Sequence, residues 1–179
     1  MLVVAAGCGK SSAKQQTGTT SPSACPPFTE TTTPKSGTAK PPAQTMLLTD
    51  VKIAAETCAD RAAFTFRPGP TALGYRIGYR PAAEAQTEDG SGKHVDIAGK
   101  AFLVVRFEPA ATADLSSEKL DVTYKGPRTF RPTGTKYVKQ VTKIGDFEGI
   151  LAWTIGLSQE RPLRVSSSGS PPQLTIEIG

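Results

Sequence analysis

The stretch LGYRIGYR at residues 73–80 alternates an apolar side chain with glycine or arginine at every step. A period of two is typical of a β-strand that buries one face and exposes the other. The same alternation occurs at Phe64-Thr65-Phe66, and the following Pro68-Gly69-Pro70 ends it. These segments predict a fold built from short strands joined by turns.

Apolar strand patterns continue to the end of the chain. Phe102–Phe107 is almost uninterruptedly apolar, which indicates a central strand covered on both faces. Only residues 110–119 predict a short helical turn. About nine short strands fit one sandwich or barrel, and we predict an all-β fold, a single β-sandwich of mainly antiparallel strands. The further strand candidates are Val51–Ala55, Leu120–Tyr124, Tyr137–Ile144, Ile150–Leu157, Leu163–Val165 and Leu174–Ile178.

Composition divides the chain into a tail and one domain. The 179 residues, 37% of them hydrophobic, are enough for a single core, which we place at residues 47–179. Residues 8–46 are rich in Ser, Thr and Pro and contain one aromatic residue, so we predict a flexible, disordered tether. Four lysines and one glutamate in this tail account for +3 of the net charge of +5, which disfavours a nucleic-acid partner.

The first residues resemble a bacterial lipoprotein signal. Cys8 follows the small residues of Val4–Gly7, a layout in which the cysteine receives a diacylglycerol and becomes the first residue of the mature protein. Residues 1–7 are too few for a full leader, and we interpret them as a truncated signal remnant. No run approaches the roughly 20 apolar residues that span a bilayer. The expected location is therefore the extracytoplasmic face of the membrane, with the lipid on Cys8 as the anchor.

A phosphate-binding loop is the competing interpretation of the same residues, because Gly9-Lys10-Ser11 resembles the end of such a motif. The motif requires a glycine at position 4, where backbone amides curl around the phosphates, and the residue there is Val4. The chain therefore contains no nucleotide-binding motif at this point.

Two cysteines remain if Cys8 carries the lipid. Neither Cys25 nor Cys58 has a neighbour at metal-ligand spacing, so a disulfide between them is the expected use in an oxidising compartment. It would close a loop of about 33 residues and stabilise the fold by about 3–4 kcal/mol. The alternative is a pair of free thiols in a cytosolic protein.

Several motifs resemble the AMIN-like domain of secreted actinobacterial lipoproteins over roughly residues 47–178. They are Phe147-Glu148-Gly149, Trp153, Gly156, Arg164-Val165, Pro171-Pro172, the strand Leu174–Ile178, the segment Asp60-Arg61-Ala62-Ala63-Phe64-Thr65-Phe66 and Gly74-Tyr75. The resemblance implies an extracytoplasmic β-sandwich, and related AMIN domains look like modules that target the cell envelope. It implies no enzymatic activity. Gln173 and Glu177 stand where an arginine and an aspartate are expected, so the resemblance gives those two side chains no role.

Most of these motif residues have a structural interpretation. Trp153 shares a strand face with apolar neighbours, and we expect it in the core with its indole N–H bonded to a carbonyl; a sugar-stacking platform is the alternative. Glu148 is expected to be a buried carboxylate paired with Arg61 or Arg164, and the alternative is the polar tip of a ligand site. Asp60, Phe147, Gly149 and Gly156 are interpreted as structural.

The candidate binding surface is basic and aromatic. Arg67, Arg76 and Arg80 face away from the aromatic stripe on adjacent predicted strands. Together with Tyr124 or Tyr137 they would offer cations and rings to an anionic glycan. An ordinary solvated sheet face explains the same residues without a ligand.

No catalytic or metal-binding arrangement stands out. His94 is the only histidine, Asp96 follows it, and no G-x-S-x-G elbow is present. One histidine is too few for a zinc site, and Glu88-Asp89 lies in a turn where solvation is the default. We predict no enzyme activity, no metal and no cofactor.

The sequence as a whole predicts a monomeric, membrane-anchored lipoprotein with a non-catalytic AMIN-like module. Its expected partner is a cell-envelope polymer, peptidoglycan or an associated glycan. One alternative is a protein-interaction or scaffolding lipoprotein without a glycan site. Another is a small-ligand carrier or enzyme, which would show a pocket joining His94 or Glu148 to Tyr or Arg side chains.

Overall fold

The computed structural model describes residues 1–2, 25, 28–39, 41, 43–69, 72–116 and 119–179. These residues form thirteen strands and one short helix. In chain order the elements are β1 Lys35–Gly37, β2 Met46–Ala55, β3 Asp60–Phe66, β4 Tyr75–Arg80, α1 Ala82–Ala85, β5 Ala101–Phe107, β6 Ala110–Ala111, β7 Ala113–Asp114, β8 Asp121–Val122, β9 Thr129–Phe130, β10 Val138–Phe147, β11 Ile150–Leu157, β12 Leu163–Gly169 and β13 Pro172–Ile178.

Two sheets make up the sandwich. The first has six strands in the order β1-β4-β5-β11-β10-β9, and the second has five in the order β12-β13-β3-β2-β6. All neighbours are antiparallel except β2 and β6. A separate two-residue ladder joins β7 to β8. The all-β sandwich prediction is confirmed, and the extra strands are pieces of two or three residues, too short to leave an alternating pattern.

The position of the helical turn was predicted wrongly. Residues 110–119 contain the strands β6 and β7, whereas the one helix among the described residues lies at Ala82–Ala85. Alanine has the highest helix propensity, and Pro81 directly before the helix fits a first turn that needs no proline N–H. The helix has only four residues, so it leaves no apolar period that could predict it.

The inner faces of the two sheets meet in an aromatic core. Trp153 of β11 is fully buried, and its ring lies 5.8 Å from that of Phe64 on β3 of the other sheet. Phe107 of β5 contacts Phe64 at 5.2 Å and Phe66 at 5.0 Å between ring centroids. The expectation that Trp153 is a core residue is confirmed. Its indole N–H, however, has no hydrogen-bond partner, so the expected carbonyl contact is wrong.

The six-stranded sheet also has a small core on its outer face. Ala85 of α1 and Ile97 pack there against Phe102 and Val104 of β5. On the opposite face Leu103, together with alternate residues of the same strand, enters the main core. The prediction that β5 is a central strand covered on both faces is therefore confirmed.

A buried aspartate ties the two sheets together at one end. Asp60, at the start of β3, is 1% exposed. Its carboxylate accepts hydrogen bonds from the backbone N–H groups of Lys136, Tyr137 and Val138 at 2.9, 2.6 and 2.8 Å. Three charge-assisted bonds satisfy a carboxylate that would otherwise be costly to bury. The beginning of β10 is thereby fixed to the opposite sheet.

Residues 28–39, which we call the strap, pack on the domain instead of extending from it as a tether. β1 pairs with β4 at the edge of the six-stranded sheet. Thr31 accepts a hydrogen bond from Leu163 of the other sheet at 3.2 Å, and Glu30 binds Arg164 at 2.7 Å. The prediction that these residues extend as a flexible tether therefore does not hold for the strap. Proline and serine content indicated disorder, but backbone pairing at a sheet edge needs few apolar side chains.

Candidate functional site

The three arginines of the predicted binding surface do not lie together. Arg67 follows β3 of the five-stranded sheet, whereas Arg76 and Arg80 lie on β4 of the other sheet. Each is occupied by acids: Arg67 binds Asp114 and Asp121, Arg76 binds Glu108, and Arg80 binds Glu84. The expectation of one basic surface formed by all three is therefore wrong.

The two tyrosines assigned to that surface are buried. Tyr124 is 7% exposed, stacks edge-on against Trp153 at 5.8 Å, and donates its hydroxyl to the carbonyl of Pro127 at 2.8 Å. Burial, with a smaller contribution from the charge of Asp50, raises the pKa of Tyr124 to about 12. Tyr124 is therefore a core residue that stays neutral.

Tyr137 lies at the end of the sandwich, and two cationic side chains lie close to its ring. It is 8% exposed, with the Arg161 guanidinium 4.4 Å and the Lys136 ammonium 5.0 Å from its ring centroid. Lys139 donates its ammonium to the carbonyl of Lys136 at 3.3 Å, which places a third cation beside the first two. Arg131 begins the connection from β9 to β10, Lys136 lies near the end of that connection, and Lys139 is the second residue of β10. We call Arg131, Lys136, Lys139 and Arg161 the basic end.

Hydrogen bonds fix the loops of the basic end. Arg161 donates its Nε to the terminal carbonyl of Gly179 at 2.8 Å, and its backbone N–H donates to the Tyr79 hydroxyl at 2.8 Å. Burial raises the pKa of Tyr79, which keeps that hydroxyl protonated. Asp60 holds the amides of the β9–β10 connection from below. The cations therefore stand on a rigid backbone.

The cations of the basic end differ from Arg67, Arg76 and Arg80 in having no acidic side chain paired with them among the described residues. Among the described residues, none of its four cations forms an ion pair. The sequence signal that would have found it is an acid-free run between Asp121 and Asp146 with six basic residues. They are Lys125, Arg128, Arg131, Lys136, Lys139 and Lys143. The alternating pattern led us to place the binding surface on β4. The spacing of charged residues along the chain would have predicted the basic end instead.

The two motif arginines pair with other acids than expected. Arg61 pairs with Glu56 at 2.8 Å, and Arg164 pairs with Glu30 and Glu177. Glu148 is exposed in the turn between β10 and β11, so its expected burial against either arginine is wrong. A hairpin turn of two residues leaves the first side chain in solvent, which explains the miss.

The remaining motif positions have steric reasons. Gly156 lies so close to the carbonyl of Ala98 that a Cβ atom would clash with it. Gly149 has a positive φ of 76°, which favours glycine. Phe147, expected to be structural, is 57% exposed at the hairpin tip.

Catalytic arrangements gain no support from the positions of the polar residues. His94 is exposed, as expected, and its backbone bridges to Thr87. Asp89 is partly exposed and binds Arg106, and Glu88 binds Arg128 at 2.5 Å. No cluster of three or more potential ligands for a metal ion occurs among the described residues.

The structure describes two of the three cysteines. Cys25 and Cys58 form a disulfide, which confirms the expected pairing. Cys8, the predicted lipidation site, lies outside the described residues. No helix in the described ranges has the length and apolar character of a membrane span.

The comparison with known protein families identifies the domain that forms the sandwich. The model of the AMIN-like domain matches residues 46–179, three quarters of the chain, and the protein belongs to that family. Membership indicates a cell-envelope module of the peptidoglycan-binding type, located outside the cytoplasm. No curated protein matches the chain, and no solved structure does. The matched region begins at β2, so the strap lies outside it.

Proposed function

We propose that this protein is a monomeric envelope lipoprotein whose AMIN-like domain binds an anionic wall polymer through the basic end, without catalysis. The observation that carries the proposal is the group of four unpaired cations at one end of the sandwich. Family membership supports the cell envelope as the place of action. The ligand class would be peptidoglycan or an associated glycan that presents carboxylates or phosphates.

Charge balance separates the basic end from the other arginines. Arg67, Arg76 and Arg80 already interact with acids, so a polymer would have to displace those acids. Arg131, Lys136 and Lys139 are exposed to water, and Arg161 contacts the Gly179 carbonyl and the Tyr137 ring rather than an acid. A repeating anion that approaches them gains attraction without breaking an ion pair, and this attraction weakens as salt increases.

Anchoring through Cys8 completes the proposal. A diacylglyceryl cysteine carries two acyl chains, and two chains suffice for stable attachment where one is marginal. The Ser- and Pro-rich residues after Cys8 would give the domain reach from the membrane toward the wall. Because Cys25 is bonded to Cys58, only the residues between Cys8 and Cys25 would span the distance from the membrane to the domain.

The test compares two triple variants that remove the same charge. Full-length protein with Cys8→Ser, which stays in solution, is mixed with purified cell-wall sacculi over a salt series. We expect Arg131→Gln/Lys136→Gln/Lys139→Gln to weaken binding roughly a hundredfold at low salt, at about 1 kcal/mol per cation near an anionic surface. The matched control is Arg67→Gln/Arg76→Gln/Arg80→Gln, which should bind as the parent does.

Two results would count against the basic end. Equal loss in both triple variants would show that only net charge matters. No binding by the parent at low salt would remove wall polymer as the ligand.

A protein partner is the second candidate because β12 is an exposed edge. Among the described strands it pairs only with β13, and Ser166–Gly169 are exposed and uncharged. Edge strands of natural proteins usually carry charges or proline that prevent pairing with another chain. If sacculi do not bind, strand addition at β12 becomes the better hypothesis.

A further inference from the structure

A cleft beside the β10–β11 hairpin combines an exposed aromatic ring with polar walls. Phe147 is 57% exposed, although large aromatic side chains are normally well buried. The ring lies against Gly90, because a Cβ atom built there would be 3.7 Å from it. A cavity of about 490 Å³ opens between the Gly90 turn and β10. The ring therefore lies beside the Gly90 turn at the edge of a cavity.

The hairpin that presents Phe147 has a backbone conformation that a non-glycine residue rarely adopts. Phe147 pairs with Ile150, which leaves Glu148 and Gly149 as a two-residue turn. Both have positive φ angles, of 51° and 76°, and Glu148 is the one non-glycine residue with a positive φ in the described part of the chain. Such turns normally use Asn-Gly or Asp-Gly. Strained backbone of this kind concentrates at functional sites.

One wall of the cleft requires a glycine in β10. Gly145 lies at a bulge in β10, and a Cβ atom there would collide with the carboxylate of Asp89. Asp89 also donates its backbone N–H to the carbonyl of Ile144 at 2.8 Å. The carboxylate is thus held directly above the strand, at the same end of the cleft as Phe147.

The charges around the cleft cancel. Glu88 binds Arg128 at 2.5 Å, Asp89 binds Arg106 at 2.8 and 2.9 Å, and Lys143 binds Asp146 at 3.1 Å. The hydroxyl of Ser91 and the guanidinium of Arg128 lower the pKa of Glu88, which keeps it ionised. Each carboxylate retains free lone pairs and the arginines retain N–H groups, so neutral hydroxyls can bond to them.

We propose that this cleft binds a neutral hexopyranose ring, with the apolar face of the sugar against Phe147 and its hydroxyls bonded to the ion-paired side chains. Because the three carboxylates are balanced by three cations, the cleft offers no net charge to an anionic ligand, and a purely apolar ligand would leave the polar walls without partners. The site is separate from the basic end and does not depend on it. Its binding should be insensitive to salt, in contrast to that of the basic end.

The test is an NMR titration of the full-length Cys8→Ser protein with the neutral oligosaccharides chitotetraose and cellotetraose. We expect amide shifts confined to residues 88–91 and 145–149, unchanged by salt. Phe147→Ala should weaken binding about two- to tenfold, the size of one aromatic contact. Phe147→Trp should keep the affinity, because the ring face is retained.

Phe147→Leu is the matched control, since it keeps apolar bulk and removes the ring. Leucine binding as well as phenylalanine would overturn the stacking, and the absence of shifts at these residues with either sugar at millimolar concentration would overturn the site. The Arg131→Gln/Lys136→Gln/Lys139→Gln variant should bind sugar normally. A failure of wall binding and a failure of this cleft are therefore distinguishable.

Discussion

Two aspartates contact the six-stranded sheet, Asp60 from the facing sheet and Asp89 from the outer side, and their hydrogen-bond donors differ in kind. Between the sheets, Asp60 is 1% exposed and accepts three backbone N–H groups. On the outer face, Asp89 keeps 25% of its side chain exposed and binds the guanidinium of Arg106. The backbone N–H groups that bind Asp60 cannot turn toward another partner, whereas the side chain of Arg106 can rotate toward water. The same residue type therefore contributes differently to stability at the two positions.

Asp60→Ala should have the largest effect. Three backbone donors, two of them buried, lose their acceptor, and each unsatisfied buried group costs about 1–3 kcal/mol, so we expect a loss of about 3–5 kcal/mol. Urea unfolding measures it. Asp60→Asn keeps one acceptor oxygen and should lose clearly less. A loss below that of a surface pair would show that water replaces the carboxylate.

Cys25→Ser/Cys58→Ser should have the next largest effect. Cys58 lies two residues before Asp60. The disulfide spans a sequence separation of 33, and releasing that loop should lower the free energy of unfolding by about 3–4 kcal/mol. Thermal unfolding with and without a reductant checks the value. The parent in reductant should behave like the double variant. A stability unchanged by both treatments would mean that the strap already holds the loop closed.

Asp89→Ala should have the smallest effect. Its ion pair with Arg106 is partly exposed, and such pairs contribute less than about 1 kcal/mol. Urea unfolding of this variant, run beside Asp60→Ala, tests the comparison between the two faces directly. A loss equal to that of Asp60→Ala would show that the outer face is as dependent on its carboxylate as the inner face.

Alternation along the chain predicted the parts of the fold that bury one side of a strand. β4 and β13 follow the pattern, the continuous apolar run of β5 predicted its burial on both faces, and Trp153 was placed correctly in the core. The two-residue strands, the strap and the contacts of Asp60 leave no such pattern, since backbone groups make them. The basic end was accessible from the acid-free run after Asp121, but only the structure separates paired from unpaired cations.

The disulfide also determines the path of mechanical load. A pull from the residues before Cys25, such as a lipid anchor at Cys8 would apply, enters the domain at Cys25 and passes through the sulfur bridge to Cys58. The chain between these two cysteines, including all of β1 and β2, lies inside the covalent loop and carries little of that tension. The strap would therefore keep its place at the sheet edge while the domain is pulled at the turn between β2 and β3.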